Sequence, residues 1–222
     1  MTKTDVVGYR YHDIVLYAAQ ILCALGEKVY IKDMSTEWEL HFYVPGIAGF
    51  NINEPIEYKG VSFGFGRQKI PADTDYLFNL WEPEQCASNI PFTIDEGGHL
   101  LVVTDEEPVH EDNIERAFEY QSGLSDYADR TMIIFRDYSG VNDSFCENTR
   151  AVFENSKLVK LAFNKKDREA EVFLWIREDP VFKPITERMA SLVEHFVCRL
   201  RPSTTTSEFE RAYRIALKGD CL

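Results

Sequence analysis

The chain has 222 residues, of which 45% are hydrophobic and 27% are charged. That composition is typical of a folded globular domain, and it excludes a wholly disordered or collagen-like chain. Twenty-four lysines and arginines stand against 37 aspartates and glutamates, so the formal net charge is −13. A chain of this sign is repelled by phosphate backbones, and we therefore expect no nucleic-acid partner.

Neither a transmembrane helix nor a signal peptide is recognisable in the sequence, so we expect a cytoplasmic protein with at most peripheral membrane association. The five cysteines are widely spaced and include no C-x-x-C pair. They are expected to be reduced thiols, and two carboxylates near Cys86 should raise the pKa of that thiol. The histidines do not recur at metal-ligand spacing, so no metal site is predicted.

Short apolar runs predict eight β-strands. Most of these runs are continuous in apolar residues, as is typical of strands buried on both faces of a sheet. In chain order they are Asp5–Gly8, Lys28–Lys32, Val61–Phe65, Tyr76–Leu80, Leu100–Thr104, Thr131–Phe135, Leu158–Phe163 and Val172–Ile176.

Three helices are predicted between or after these strands. Ile14–Leu25 is apolar on nearly every side, which predicts a helix buried between layers and ended by Gly26. Val109–Gln121 and Pro184–Leu200 carry apolar stripes at helical spacing. Strands alternating with helices favour a three-layer α/β domain with a mostly parallel, doubly wound sheet over residues 1–201.

A short tail follows a predicted boundary near residue 202. The polar segment Pro202–Thr206 is interpreted as a linker, and Ser207 and Glu210 have the spacing of a capping box. They predict a final helix, Ser207–Lys218, within the tail 202–222. Two roles stay open for this helix: packing on its own domain, or docking on a partner.

The first strand–loop–helix segment is the most informative part of the sequence. A strand ending at Gly8 is followed by a short loop, the buried helix, G-x-K-V and a second strand that ends in Asp33. This order resembles the start of the MinD/ParA family of deviant Walker ATPases, whose loop reads G-K-G-G-x-G-K-T-T. Two later segments are similar to strands of the same family. Thr74–Leu80 places Asn79 where the family has an aspartate near magnesium, and Leu100–Glu107 resembles another strand and the start of its helix.

The resemblance implies a P-loop NTPase-like fold, but the residues that would bind ATP are replaced. Laid on the family pattern without a gap, Tyr9 takes the place of the signature lysine. Ile14 takes the place of the phosphate-binding lysine, and Val15 that of the magnesium-binding threonine. We therefore expect a vestigial nucleotide site, no cofactor and no catalytic residues.

Two further residues of this loop bear on the same expectation. Asp13 adds repulsion towards a phosphate, and Arg10 is a lone cation beside it. At the end of the second strand, Asp33 is either a ligand-binding residue or a cap for the turn that follows.

The resemblance implies a non-catalytic MinD/ParA-like adaptor or positioning subunit at a membrane-associated pilus, secretion or division assembly. Its partner would be an unidentified protein, with a homodimer as a further possibility. The aromatic side chains of the stretch Trp38–Tyr58 either pack in the core or form a candidate contact surface, and core packing is the favoured interpretation. Two alternatives stay open. One is an α/β enzyme or nucleotide-binding protein with a site around Gly8–Asp13 and Asp33; the other is an acidic signalling module.

Overall fold

The computed structural model describes residues 1–36, 40, 43, 54–86, 97–119, 129–138, 156–175 and 182–219. Over these residues the strands are β1 Thr2–Gly8, β2 Val29–Asp33, β3 Ile56–Tyr58, β4 Val61–Phe65, β5 Tyr76–Trp81, β6 His99–Asp105, β7 Thr131–Asp137 and β8 Lys157–Ala162. The helices are α1 His12–Ala24, α2 Pro83–Cys86, α3 Pro108–Glu119, α4 Lys165–Trp175, α5 Glu187–Leu200 and α6 Thr206–Lys218.

The strands form one eight-stranded sheet with the order β3-β4-β2-β5-β1-β6-β7-β8. The pairs β1/β6, β2/β4, β6/β7 and β7/β8 are parallel, whereas β3 runs antiparallel to β4. The chain starts at an inner strand and adds later strands on both sides of it, as in a doubly wound sheet. The predicted α/β fold class with a mostly parallel sheet is confirmed.

The predicted strand Val172–Ile176 is wrong, because residues up to Trp175 in that segment belong to helix α4. The apolar run V-F-L-W-I has the length of a strand, but it continues a helix-forming stretch that begins at Lys165. Ala170, Glu171 and Leu174 are the buried positions, and their spacing is helical. The edge strand β3 was not predicted, because Glu57 interrupts its apolar residues; Glu57 is exposed and its two neighbours are only partly buried.

Backbone contacts divide the chain into two compact units. The first comprises Met1–Thr2, His12–Phe78 and Asn164–Leu222, and the second comprises Lys3–Tyr11 and Asn79–Phe163. Within the first unit, α1 contacts β2, β4, α5 and α6. Its residues from His12 to Leu22 are all buried, which is why its sequence is apolar on nearly every side.

Helix α6 packs against α1 through buried Phe209, Ala212 and Ala216. Its capping box is formed by Thr205 and Glu208, two residues before the predicted pair. Both pairs have the S/T-x-x-E spacing, and the sequence alone does not say which of them begins the helix. The boundary near residue 202 stays a prediction.

The second unit contains β1, β6, β7 and β8 with helices α2 and α3. Strand β6 pairs with β1 on one side and with β7 on the other, and its residues from Leu100 to Asp105 are buried. Helix α3 buries Ile114, Ala117 and Phe118 as predicted, while Gln121 lies outside the described residues. These parallel strands bring the carboxyl ends of β1, β6 and β7 to one edge.

None of the described helices combines the length and hydrophobicity that crossing a lipid bilayer requires.

Candidate functional site at the carboxyl ends of β1, β6 and β7

The connection from β1 to α1 is short. Only Tyr9, Arg10 and Tyr11 separate Gly8, the last residue of β1, from His12, the first residue of α1. Gly8 has φ 140°, and a Cβ atom there would stand 1.8 Å from the Val103 carbonyl oxygen of β6. Only glycine allows this close approach, and the Tyr9 amide then donates a hydrogen bond to the same oxygen at 2.9 Å.

The Tyr9 side chain lies flat against His110 of α3. The two ring centroids are 3.6 Å apart and the ring planes differ by 15°. The Tyr9 hydroxyl donates to Glu84 Oε1 at 2.5 Å, and Asn113 Nδ2 donates to the Tyr9 oxygen at 2.9 Å. Burial, followed by the hydrogen bond to Glu84, raises the pKa of Tyr9, so the phenol stays protonated.

Arg10 points towards two carboxylates at the carboxyl end of β6: Asp105, which ends the strand, and Glu107, which follows it. Its backbone has φ 52°, in the left-handed region that non-glycine residues seldom adopt. Arg10 Nε is 3.8 Å from Asp105 Oδ2, and Nη2 is 3.5 Å from Glu107 Oε1. The guanidinium also lies 4.9 Å from the ring centroid of Tyr138, which follows β7. The single cation of the loop is therefore already paired within the protein.

Asp105, Glu107 and His110 form a cluster where β6 passes into α3. Asp105 Oδ1 is 2.7 Å from His110 Nδ1 and accepts a hydrogen bond from the Glu107 amide at 3.0 Å. His110 Nε2 is 3.6 Å from Glu107 Oε2. The side chains are 2% exposed for Asp105, 17% for His110 and 51% for Glu107. The cluster is thus anchored in the interior and open to solvent on the Glu107 side.

Asn79, predicted as a vestigial site residue, has a definite partner within the second unit. Its Nδ2 donates to Asp5 Oδ1 of β1 at 3.0 Å, and Trp81 Nε1 donates to the same oxygen at 3.0 Å. Lys3 Nζ lies 3.2 Å from Asp5 Oδ2. The amide of Asn79 therefore helps to hold a buried carboxylate.

The remaining predicted site residues lie in the first unit. Asp13, Ile14 and Val15 are in the first turn of α1 and are at most 2% exposed. Asp33 ends β2, and its two carboxylate oxygens accept hydrogen bonds from the amides of Ser35 and Leu40, both at 2.8 Å. These contacts favour the turn-capping interpretation of Asp33 over the ligand-binding one.

Asp105, Glu107 and His110 were not predicted as a site from the sequence. Two signals were present: an aspartate directly after a buried strand, and the spacing D-x-E-x-x-H across a strand–helix junction. Counting histidines alone missed this cluster, because its other two donors are carboxylates. The aromatic segment Trp38–Tyr58 lies mostly outside the described residues.

No protein-family model matches the sequence, and no curated protein matches it. Several solved structures have a similar fold, including the two that follow. The ParA family ATPase from Chlorobium tepidum TLS has 12% sequence identity and a TM-score of 0.51, and the match covers 97% of each chain. A chain of the MinC:MinD cell division protein complex of Aquifex aeolicus has 10% identity and a TM-score of 0.51, with 91% of this chain and 95% of that chain covered. The chain therefore has a MinD/ParA-like α/β fold.

Cys86 is expected to be unreactive in the folded protein. It is 5% exposed, and burial, with the carboxylates of Asp5 and Glu84 adding to it, raises the pKa of its thiol to about 12. At about pH 8, Cys86 is then a nucleophilic thiolate in only about one protein molecule in ten thousand. Iodoacetamide labelling read by peptide mass spectrometry should leave Cys86 unmodified in native protein and modify it fully in urea. Rapid native labelling of Cys86 would contradict this expectation.

Proposed function

We propose that this chain is a non-hydrolysing MinD/ParA-like protein that acts through contacts with other proteins, as an adaptor or positioning subunit of a membrane-associated assembly. The observation that carries the proposal is the short length of the β1–α1 connection together with the contacts that its side chains make. It is three residues long, with Tyr9 stacked on His110 and Arg10 facing the Asp105 and Glu107 carboxylates.

Phosphate binding by such a loop needs several free backbone amides that converge on the anion, together with a cation. Here the Tyr9 amide donates to the Val103 carbonyl, and Tyr9 itself carries a large aromatic side chain. A triphosphate placed at this loop would also meet the two carboxylates that now face Arg10. Both features oppose nucleotide binding and support the proposal of a vestigial site built around Gly8, Tyr9 and Arg10.

The start of helix α1 supports the same proposal. Ile14 is 0% exposed and Val15 is 1% exposed, and neither side chain carries a charge or a hydroxyl group. If these positions correspond to the phosphate-binding lysine and the metal-binding threonine of the family, both functions are lost. Asp33 and Asn79 are likewise engaged in structural hydrogen bonds.

The partner belongs to the proposal as well. The Aquifex structure with a similar fold comes from a complex of two cell division proteins, MinC and MinD. We propose that the present chain likewise binds another protein, or a second copy of itself, and that this contact does not depend on ATP. Without a nucleotide to bridge two subunits, such a contact would rest on apolar and aromatic surface.

We expect the purified protein neither to bind nor to hydrolyse Mg-ATP. We also expect its assembly state to be the same with and without the nucleotide. Binding is measured by isothermal titration with millimolar Mg-ATP, hydrolysis by phosphate release, and assembly by light scattering with and without nucleotide. A ParA family ATPase run in parallel shows that the conditions permit binding and hydrolysis.

Micromolar affinity for Mg-ATP, turnover, or an ATP-dependent dimer would contradict the proposal and favour the alternative of an enzyme or nucleotide-binding protein. In that case an Arg10→Ala variant shows whether the β1–α1 loop is the binding site. Loss of nucleotide affinity in that variant would assign the site to the loop.

A further inference from the structure

The geometry points to a binding site for one first-row divalent transition-metal ion, such as Zn²⁺, held by Asp105, Glu107 and His110. This inference goes beyond the proposed function and does not rest on it. One imidazole nitrogen and two carboxylate oxygens suit Zn²⁺, Co²⁺ or Mn²⁺, whereas Mg²⁺ and Ca²⁺ favour sites made of oxygen donors alone.

The three residues offer donor atoms that all lie within 4.8 Å of one another. Metal–ligand bonds to nitrogen and oxygen are about 2.0–2.2 Å long, so two donors on one tetrahedral ion stand about 3.3–3.6 Å apart, and two opposite donors at most about 4.4 Å. A small inward rotation of one side chain closes the difference. Glu107 is the residue free to make it, since its side chain is half exposed.

Asp105 provides a second, independent indication of a ligand. Its side chain is only 2% exposed, and the Oδ2 atom is buried but accepts no hydrogen bond. The Arg10 Nε atom faces it at 3.8 Å, beyond hydrogen-bonding distance. Capping of α3 accounts for Oδ1, which accepts from the Glu107 amide, but it does not account for Oδ2. The Arg10 charge offsets part of the cost of burying this oxygen. No hydrogen bond reaches it, and coordination of a cation would supply a direct bond.

The imidazole is held in place before any ion arrives. Tyr9 covers one face of the His110 ring at 3.6 Å, and the Tyr9 hydroxyl is fixed by Glu84 and Asn113. Fixing a ligand ring through neighbouring side chains is the usual way in which proteins strengthen metal sites. The 17% exposure of His110 and the half-exposed Glu107 leave the cluster accessible from solvent.

Arg10 would compete with the metal ion for the two carboxylates of this site. Its guanidinium faces Asp105 and Glu107, the same carboxylates that the ion would use. Binding of a cation must therefore displace the guanidinium, and removal of the arginine charge should favour the ion. A merely structural network of ion pairs would show no such gain.

The test uses untagged, full-length protein treated with a chelator and then titrated with Zn²⁺ in competition with a chromogenic indicator. We expect one ion per chain. His110→Ala and Glu107→Gln should each weaken the affinity by at least about 10-fold, the scale on which metal sites respond to loss of a supporting group. His195→Ala, at a half-buried histidine of α5, is the matched control and should leave the affinity unchanged. Arg10→Gln should tighten binding.

Co²⁺ absorption gives a readout of the donor atoms. Nitrogen and oxygen ligands give ligand-field bands without the intense thiolate-to-metal charge-transfer band that cysteine ligands produce. Circular dichroism of Glu107→Gln shows whether this variant is folded when its affinity for the metal is lost. Because the Glu107 side chain is half exposed, we expect the variant to fold.

Four results would overturn the inference: no saturable binding of Zn²⁺ or Co²⁺, affinity unchanged in His110→Ala or in folded Glu107→Gln, a strong thiolate band, or affinity unchanged or weakened in Arg10→Gln. None of them would affect the proposal of a protein without ATPase activity, which the Mg-ATP measurements decide separately.

Discussion

Replacement of Ile21 by aspartate is expected to unfold the protein. Ile21 is 0% exposed on α1, the helix that contacts β2, β4, α5 and α6 within the first unit. A charge left unpaired in such a position costs about 3–5 kcal/mol, against a total stability of about 5–15 kcal/mol for a typical domain. Ala18→Asp, at another 0% exposed residue of the same helix, should act in the same way.

Ala24→Asp is the matched control, because Ala24 is the last residue of α1 and is only partly buried. Urea titration followed by circular dichroism compares the three variants. We expect a cooperative transition near that of the parent protein for Ala24→Asp, and aggregation or a lost transition for the other two. A soluble Ile21→Asp protein that unfolds cooperatively at the parent midpoint would show that α1 is not buried.

Strands buried on both faces could be predicted from the sequence because they carry continuous apolar runs. Val61–Phe65 was predicted with the observed bounds, and β2 and β6 within one residue at each end. The rule failed where the same kind of run continued a helix. In α4 the stretch V-F-L-W is preceded by K-K-D-R-E-A-E, whose residues favour a helix, and the longer pattern determines the structure.

The contacts of the candidate site could not be predicted, because they join residues far apart in the chain. The sequence indicated that Gly8, Tyr9 and Arg10 follow a strand, but it did not indicate that Tyr9 stacks on His110 or that Arg10 faces Asp105. Those contacts follow from the parallel pairing of β1 with β6, which places Gly8 opposite Val103. Register of this kind is a property of the assembled sheet.

The turn after β2 illustrates how one residue type serves two roles in such folds. Ligands bind at the carboxyl ends of the strands in α/β sheets, so an aspartate at such an end is well placed to bind one. An aspartate there is also a good cap for the next turn. Asp33 accepts two backbone amides and is used by its own turn. Asp105 accepts one amide through Oδ1 and keeps a buried oxygen without a hydrogen bond. The two aspartates look alike in the sequence, and only their hydrogen bonds distinguish them.

Substitution of Gly8 by alanine is expected to destabilise the protein and to disturb the candidate site at once. The added Cβ would stand 1.8 Å from the Val103 carbonyl oxygen, a backbone atom of a paired strand that cannot move aside alone. Backbone strain at φ 140° adds to this clash, and together they should cost about 3 kcal/mol or more.

Gly26→Ala separates the clash from the backbone strain, since Gly26 also has a positive φ, 92°, but a Cβ there meets nothing within 4 Å. It should cost only about 1 kcal/mol. Denaturant titration measures the free energy of unfolding of both variants.

NMR of the His110 ring protons reports the stacking of Tyr9 on His110. The ring current of Tyr9 should shift these protons upfield in the parent protein and less so in Gly8→Ala. The carbonyl that the new methyl group would strike is also the acceptor of the Tyr9 amide, so relief of the clash must move Tyr9. Equal stabilities for Gly8→Ala and Gly26→Ala, with an unchanged His110 signal, would mean that β1 does not approach β6 closely at Gly8 and that the β1–α1 loop is open to a ligand.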